Sequence, residues 1–142
     1  MDSDSYFHWL VVRGSVGLIA RGNAIKLSVD PEGSRFCVLN QQDARELAQI
    51  LTERSRKIWE GFDNKDDPAL GESGTMTWEQ SSASWVWPTT AGPLEISLND
   101  QGDMIRIGRD LPMSFELLVR PVVEVAQVLF HCAGPEEAGR SE

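Results

Sequence analysis

Glu46-Leu47-Ala48-Gln49-Ile50-Leu51 and Glu124-Val125-Ala126-Gln127-Val128-Leu129 are one phrase written twice, 78 positions apart. Each carries its apolar residues at helical spacing. Ahead of each stand two apolar runs separated by turn residues. The first set is Ile25-Lys26-Leu27-Ser28-Val29, then Asp30-Pro31-Glu32-Gly33, then Arg35-Phe36-Cys37-Val38. The second is Leu94-Glu95-Ile96-Ser97-Leu98, then Asn99-Asp100-Gln101-Gly102, then Met104-Ile105-Arg106-Ile107. Two-residue alternation predicts strands, and Pro, Gly, Asn and Asp between them predict tight turns. The chain therefore reads as a hairpin-plus-helix unit used twice.

Further strands precede each unit. Tyr6 to Val12 is aromatic and β-branched, and Val16 to Arg21 follows a Gly14-Ser15 turn. Gly22-Asn23 suits a two-residue hairpin loop. Met76 and Trp78 stand 69 positions after Phe7 and Trp9, and the same offset pairs Val16 with Trp85, Leu18 with Trp87 and Ile25 with Leu94. Since the helical phrase is offset by 78, the second copy reads as having gained nine residues within Gly108 to Arg120. Ser114 to Val119 there reads as an added strand. Asn40 is a good N-cap for a first helix running to about Glu60. Pro121 fits the first turn of the second helix, where no amide donor is required. An earlier start would put it in the helix interior at about 3 kcal/mol.

The expected fold is α+β: two tandem ββββα repeats, with antiparallel sheets and two helices packed on or between them about an approximate two-fold axis. The repeats span about 6–60 and 75–132, joined by an acidic linker, 61–74, with a flexible tail at 133–142. One half alone would be marginal, so the halves are expected to share one domain. Exposed sheet edges point to self-association into a homo-oligomer.

The formal net charge of −9 disfavours nonspecific binding to duplex DNA or anionic membranes. No apolar run is long enough to cross a bilayer, so no membrane partner is expected. The start, Met1-Asp2-Ser3-Asp4-Ser5, lacks the basic region of a signal peptide, which points to a cytoplasmic protein. Cys37 and Cys132 lack metal-ligand spacing and read as two buried thiols. The linker carboxylates do not fit a calcium loop, because Lys65 falls where a ligand is needed. No metal or cofactor is expected. His8 and His131 read as strand and helix-cap residues, and no nucleophile motif or phosphate loop is present. The chain accordingly reads as more of a binder than an enzyme.

The tryptophans remain. Trp85 and Trp87 alternate on one strand and share a face. Exposed, they would stack on bases or anchor a protein partner. At the offset of 69 their counterparts, Val16 and Leu18, point instead to the core. Arg13 and Arg21 complete the candidate binding set. The tandem of four strands and a helix, Tyr6 to Cys132, resembles the Whirly family. That resemblance implies single-stranded nucleic-acid binding and a tetramer. The family's Lys-Gly-Lys-Ala-type strand motif has its nearest counterpart in Arg21-Gly22-Asn23-Ala24, with Asn23 at the second lysine. The leading expectation is a noncatalytic interaction or scaffold module for a protein partner. The alternatives are single-stranded nucleic-acid binding and a carboxylate-dependent hydrolase.

Overall fold

In the computed structural model, which describes residues 5–31, 36–64, 67–72, 74–89, 91–108 and 113–134, the Gly22-Asn23 loop joins β2 (Ser15–Arg21) to β3 (Ala24–Asp30). β1 (Ser5–Leu10) pairs antiparallel with β2, setting Phe7 opposite Leu18 and Trp9 opposite Val16. The next strand, β4 (Phe36–Asn40), does not join this sheet. It leads into α1 (Gln41–Glu60), whose N-cap Asn40 accepts a 2.7 Å hydrogen bond from the Asp43 amide through its side chain. The second half supplies β5 (Thr77–Glu79), β6 (Ser84–Thr89), β7 (Gly92–Leu98), β8 (Met104–Gly108) and β9 (Met113–Leu118), then α2 (Val119–Ala133).

The sheet orders are β1-β2-β3-β9 and β4-β8-β7-β6-β5, with every pairing antiparallel. Each half therefore gives its last strand to the other half's sheet. β9 lies against β3 with Phe115 opposite Leu27, and β4 lies against β8 with Cys37 opposite Ile107. The α+β architecture with its two antiparallel sheets and two helices is as the sequence predicts. The expected first hairpin is corrected: 25–29 and 36–38 belong to different sheets. Turn residues show that the chain leaves a strand, not which strand it meets next. The Asp30-Pro31-Glu32-Gly33 turn itself lies largely outside the described residues.

The exchange also corrects the offset. The ladder Phe7–Leu18–Leu27–Phe115 matches Trp85–Ile96–Ile107–Cys37. Phe7 and Trp85, Leu18 and Ile96, Cys37 and Phe115, and Glu46 and Glu124 are all 78 apart, and Leu27 and Ile107 are 80 apart. β9 is thus the counterpart of β4 rather than an addition, and β5 is the extra strand.

Alternating residues of both sheets and one stripe of each helix meet in one cluster. It includes Leu18, Ile25, Leu27, Ile96, Ile105 and Ile107 from the strands, and Leu47, Leu51, Val125 and Leu129 from the helices. α2 buries nine of its fifteen residues against six of twenty in α1, as its more apolar sequence demands. The helices are antiparallel. Arg45, near the start of α1 and 8% exposed, donates at 3.2 Å to the carbonyls of both Ala133 and Gly134. A cation there meets the negative end of the α2 dipole. Gly14, at φ +90°, lets the β1–β2 turn pass Asp30 and Cys37, where a Cβ would come within 2.5 Å of the Asp30 carbonyl oxygen.

Strand exchange predicts that neither half is stable alone. Fragments 1–72 and 73–142 should each give unfolded circular dichroism spectra and regain native signal on mixing. A stably folded isolated half would contradict the exchange.

Candidate functional site

The polar run Glu79-Gln80-Ser81-Ser82-Ala83-Ser84 turns the chain between two tryptophans, so β5 returns against β6 with Trp78 opposite Trp85. Their rings meet edge-on, centroids 4.9 Å apart at 65°. Trp85 in turn meets the His131 ring, from the last turn of α2, at 5.9 Å and 78°. Trp78 is 52% exposed and Trp85 is half-buried. Beside them a groove of about 430 Å³ is lined by Met76, Trp85, Glu124, Gln127, Val128 and His131. Gln127, Val128 and His131 share one side of α2 because residues three and four apart are helical neighbours.

Glu124 fixes this site. One carboxylate oxygen accepts from the Trp87 indole N–H at 3.3 Å, and the other from the Gly74 amide at 2.6 Å. The acid of the repeated helical phrase thus ties α2 to the linker and to the core. The linker is held elsewhere too. Leu70 is fully buried, Asn23 Nδ2 donates to the Ala69 carbonyl at 2.8 Å, and the Arg120 guanidinium donates to the Gly71 carbonyl.

The four candidate residues are not brought together. Trp87 is fully buried and offers no surface to a ligand. Trp85 lies in the groove. Arg13 is exposed in the β1–β2 turn, where its backbone exchanges hydrogen bonds of 3.2 and 3.0 Å with Val38. Arg21 ends β2 at the opposite end of that strand, in the other sheet from Trp85. Sequence reasoning passed over Trp78, Met76 and Gln127 as site residues. The signal for Trp78 was the short polar turn between it and Trp85.

Other chemistry is muted. Both thiols are free and buried. The Cys37 thiol donates to the Ser15 carbonyl at 3.3 Å, and burial raises its pKa. Burial pushes the Cys132 thiol up to about 11. Among the described residues, no group of three or more His, Cys, Asp or Glu side chains could hold a metal ion. No described helix is long and apolar enough to cross a membrane. No known protein family, curated protein or solved structure matches the chain.

Glu124→Ala should lower stability by about 2 kcal/mol in urea unfolding, since it strips a charged acceptor from two donors and leaves the Trp87 N–H unpaired. Pairing it with Trp87→Phe should show a coupling of about 1 kcal/mol. The Cys132 thiol adds a pH dependence. Its folded-state pKa is raised above the unfolded value of 9.0 to about 11. Its contribution to stability is therefore complete below pH 9 and lost as pH rises through about 11. Cys132→Ala should flatten the fall of the urea midpoint across that window.

Proposed function

We propose that the chain is a noncatalytic interaction module that holds a protein partner in the groove between Met76, β6 and α2, with Trp78 beside it. The observation that carries this reading is Trp78, a large aromatic ring half in solvent and braced edge-on by Trp85. Tryptophans in such surroundings are the side chains that most often dominate protein–protein affinity. Met76 and Val128 give the groove an adaptable apolar floor. Gln127 and His131 supply polar atoms at its rim. Glu124, the one carboxylate among the described residues that line the groove, already serves Trp87 and Gly74, so it supports the wall rather than standing ready as a base. Two free buried thiols fit a reducing, cytoplasmic setting.

A second reading uses the same rings: single-stranded nucleic acid stacking on Trp78 and Trp85, as the Whirly resemblance implies. The charge of the groove favours the protein partner, because its lining among the described residues contains Glu124 and no lysine or arginine.

Trp78→Ala separates these readings. The variant should keep the wild-type melting temperature, since the ring is half exposed, and should lose its protein partner in quantitative affinity capture. Single-stranded oligonucleotides at low salt should leave wild-type tryptophan fluorescence unchanged. Equal capture by the variant overturns the groove, and quenching by oligonucleotide that Trp78→Ala removes establishes the nucleic-acid reading instead.

A further inference from the structure

The two halves differ at one edge. In the second half, β5 covers the outer side of β6, and the Gly74 amide reaches Glu124. In the first half, β1 is the counterpart of β6, and no described strand lies outside it. Glu46, the counterpart of Glu124, is exposed and takes a 3.2 Å hydrogen bond from Gln42 instead. Trp9, the counterpart of Trp87, has a buried indole nitrogen with no hydrogen-bond partner. The first half thus keeps the receiving side of an arrangement whose covering strand, β5, has no counterpart among its described residues.

We propose that β1 is a dimer edge. The β1 of a second copy lies antiparallel against it, in the place β5 takes against β6, with Phe7 of each copy opposite Trp9 of the other.

The occupant is read from the sequence. Phe7-His8-Trp9 matches Met76-Thr77-Trp78 at an offset of 69, an aromatic or apolar residue followed two positions later by tryptophan. This likeness is not the repeat offset, which is 78, so it marks β1 as a copy of the covering strand as well as of the covered one. Transferring the register makes the point concrete. Trp78 opposite Trp85 becomes Trp9 of the second copy opposite Phe7. The two-fold axis of such a pair then sets Phe7 of the second copy opposite Trp9 as well.

The backbone is poised for this pairing. A two-residue loop closes on a hydrogen-bonded pair, so Arg21 and Ala24 exchange bonds. Counting back along β2, Leu18 and Val16 turn their polar groups toward β1, where they meet Phe7 and Trp9. The alternate residue Leu10 therefore aims its N–H outward, away from β2. β1 also lacks the devices that blunt edges: it is six residues long with no proline, lysine or other charge. By contrast, β5 has three residues and Glu79, and the outer side of β4 is held by Arg13. Two exposed apolar residues, Leu10 at 79% and Val12 at 54%, flank the open edge.

The second half supplies a variant that should remove the dimer without harming the fold. Pro88 is the counterpart of Leu10 and faces Pro93 in a pair that can make no hydrogen bond. A proline at position 10 therefore has an internal precedent. Sedimentation of the full chain should show a concentration-dependent dimer, and Leu10→Pro should raise its dissociation constant at least about tenfold with little change in melting temperature. Hydrogen exchange on the unmutated protein gives an independent reading, since the Leu10 amide should be protected in concentrated solution and exchange freely on dilution. A wild-type monomer at every concentration, a dimer that Leu10→Pro leaves as tight, or a Leu10 amide whose protection ignores dilution would each overturn the proposal. Should Leu10→Pro unfold, the exchange result decides alone.

Discussion

The whole fold depends on two strands that leave home. The first half builds three strands by local turns and the second builds four, and each of those meanders ends on an edge with unpaired backbone groups. β9 fills the edge of β3, and β4 fills the edge of β8. An unpaired polar backbone is costly when buried, and both edges flank the core cluster. The exchange satisfies them reciprocally. It also places the start of each helix at the seam, because β4 runs directly into α1 and β9 into α2. The antiparallel contact of the helices follows from that placement. Arg45 then joins the first turns of α1 to the last carbonyls of α2.

Such interlocking places demands on the linker. It must carry the chain from the end of α1 to the far edge of the second sheet, and it is pinned along the way. Leu70 inserts into the interior, and Asn23 and Arg120 hold the carbonyls on either side of it. Gly71 permits this close passage. Its φ is +93°, and a Cβ there would lie 2.7 Å from Leu118 Cβ. A stretch that reads as plain acidic linker is therefore part of the packed structure, with ties to a β-turn of one half and the helix start of the other.

What could be read in advance was local. The Asn40 cap, the Gly22-Asn23 loop, the place of Pro121 in the first turn of α2 and the apolar stripes of both helices depend on residues within a few positions of one another. Strand partners do not. The runs 25–29 and 35–38 look like a hairpin because a turn lies between them, yet their hydrogen bonds go to β9 and β8 across some 70 to 90 positions. The offset of 69 was a real likeness with a different meaning, matching β1 to the extra strand β5. It also misled the reading of Trp85 and Trp87, whose true counterparts are Phe7 and Trp9. Trp87 is core because Glu124 waits for its indole N–H, a meeting between β6 and α2 that spacing alone does not reveal. Arg13 and Arg21 looked like neighbours of that surface, but the whole of β2 and a change of sheet lie between.

The aromatic groove itself follows from one proline. Because Pro88 has no N–H, the β5–β6 ladder stops at Thr77 opposite Val86. Residues 74–76 are released from the sheet, and the Gly74 amide turns to the Glu124 carboxylate rather than to a strand backbone. The groove toward α2 adjoins this released stretch, with Met76 in its lining together with Val128 and His131. Trp78, on this edge strand, is braced by Trp85 and half in water. The missing donor at position 88 thus accounts for a short edge strand and for the second duty of Glu124.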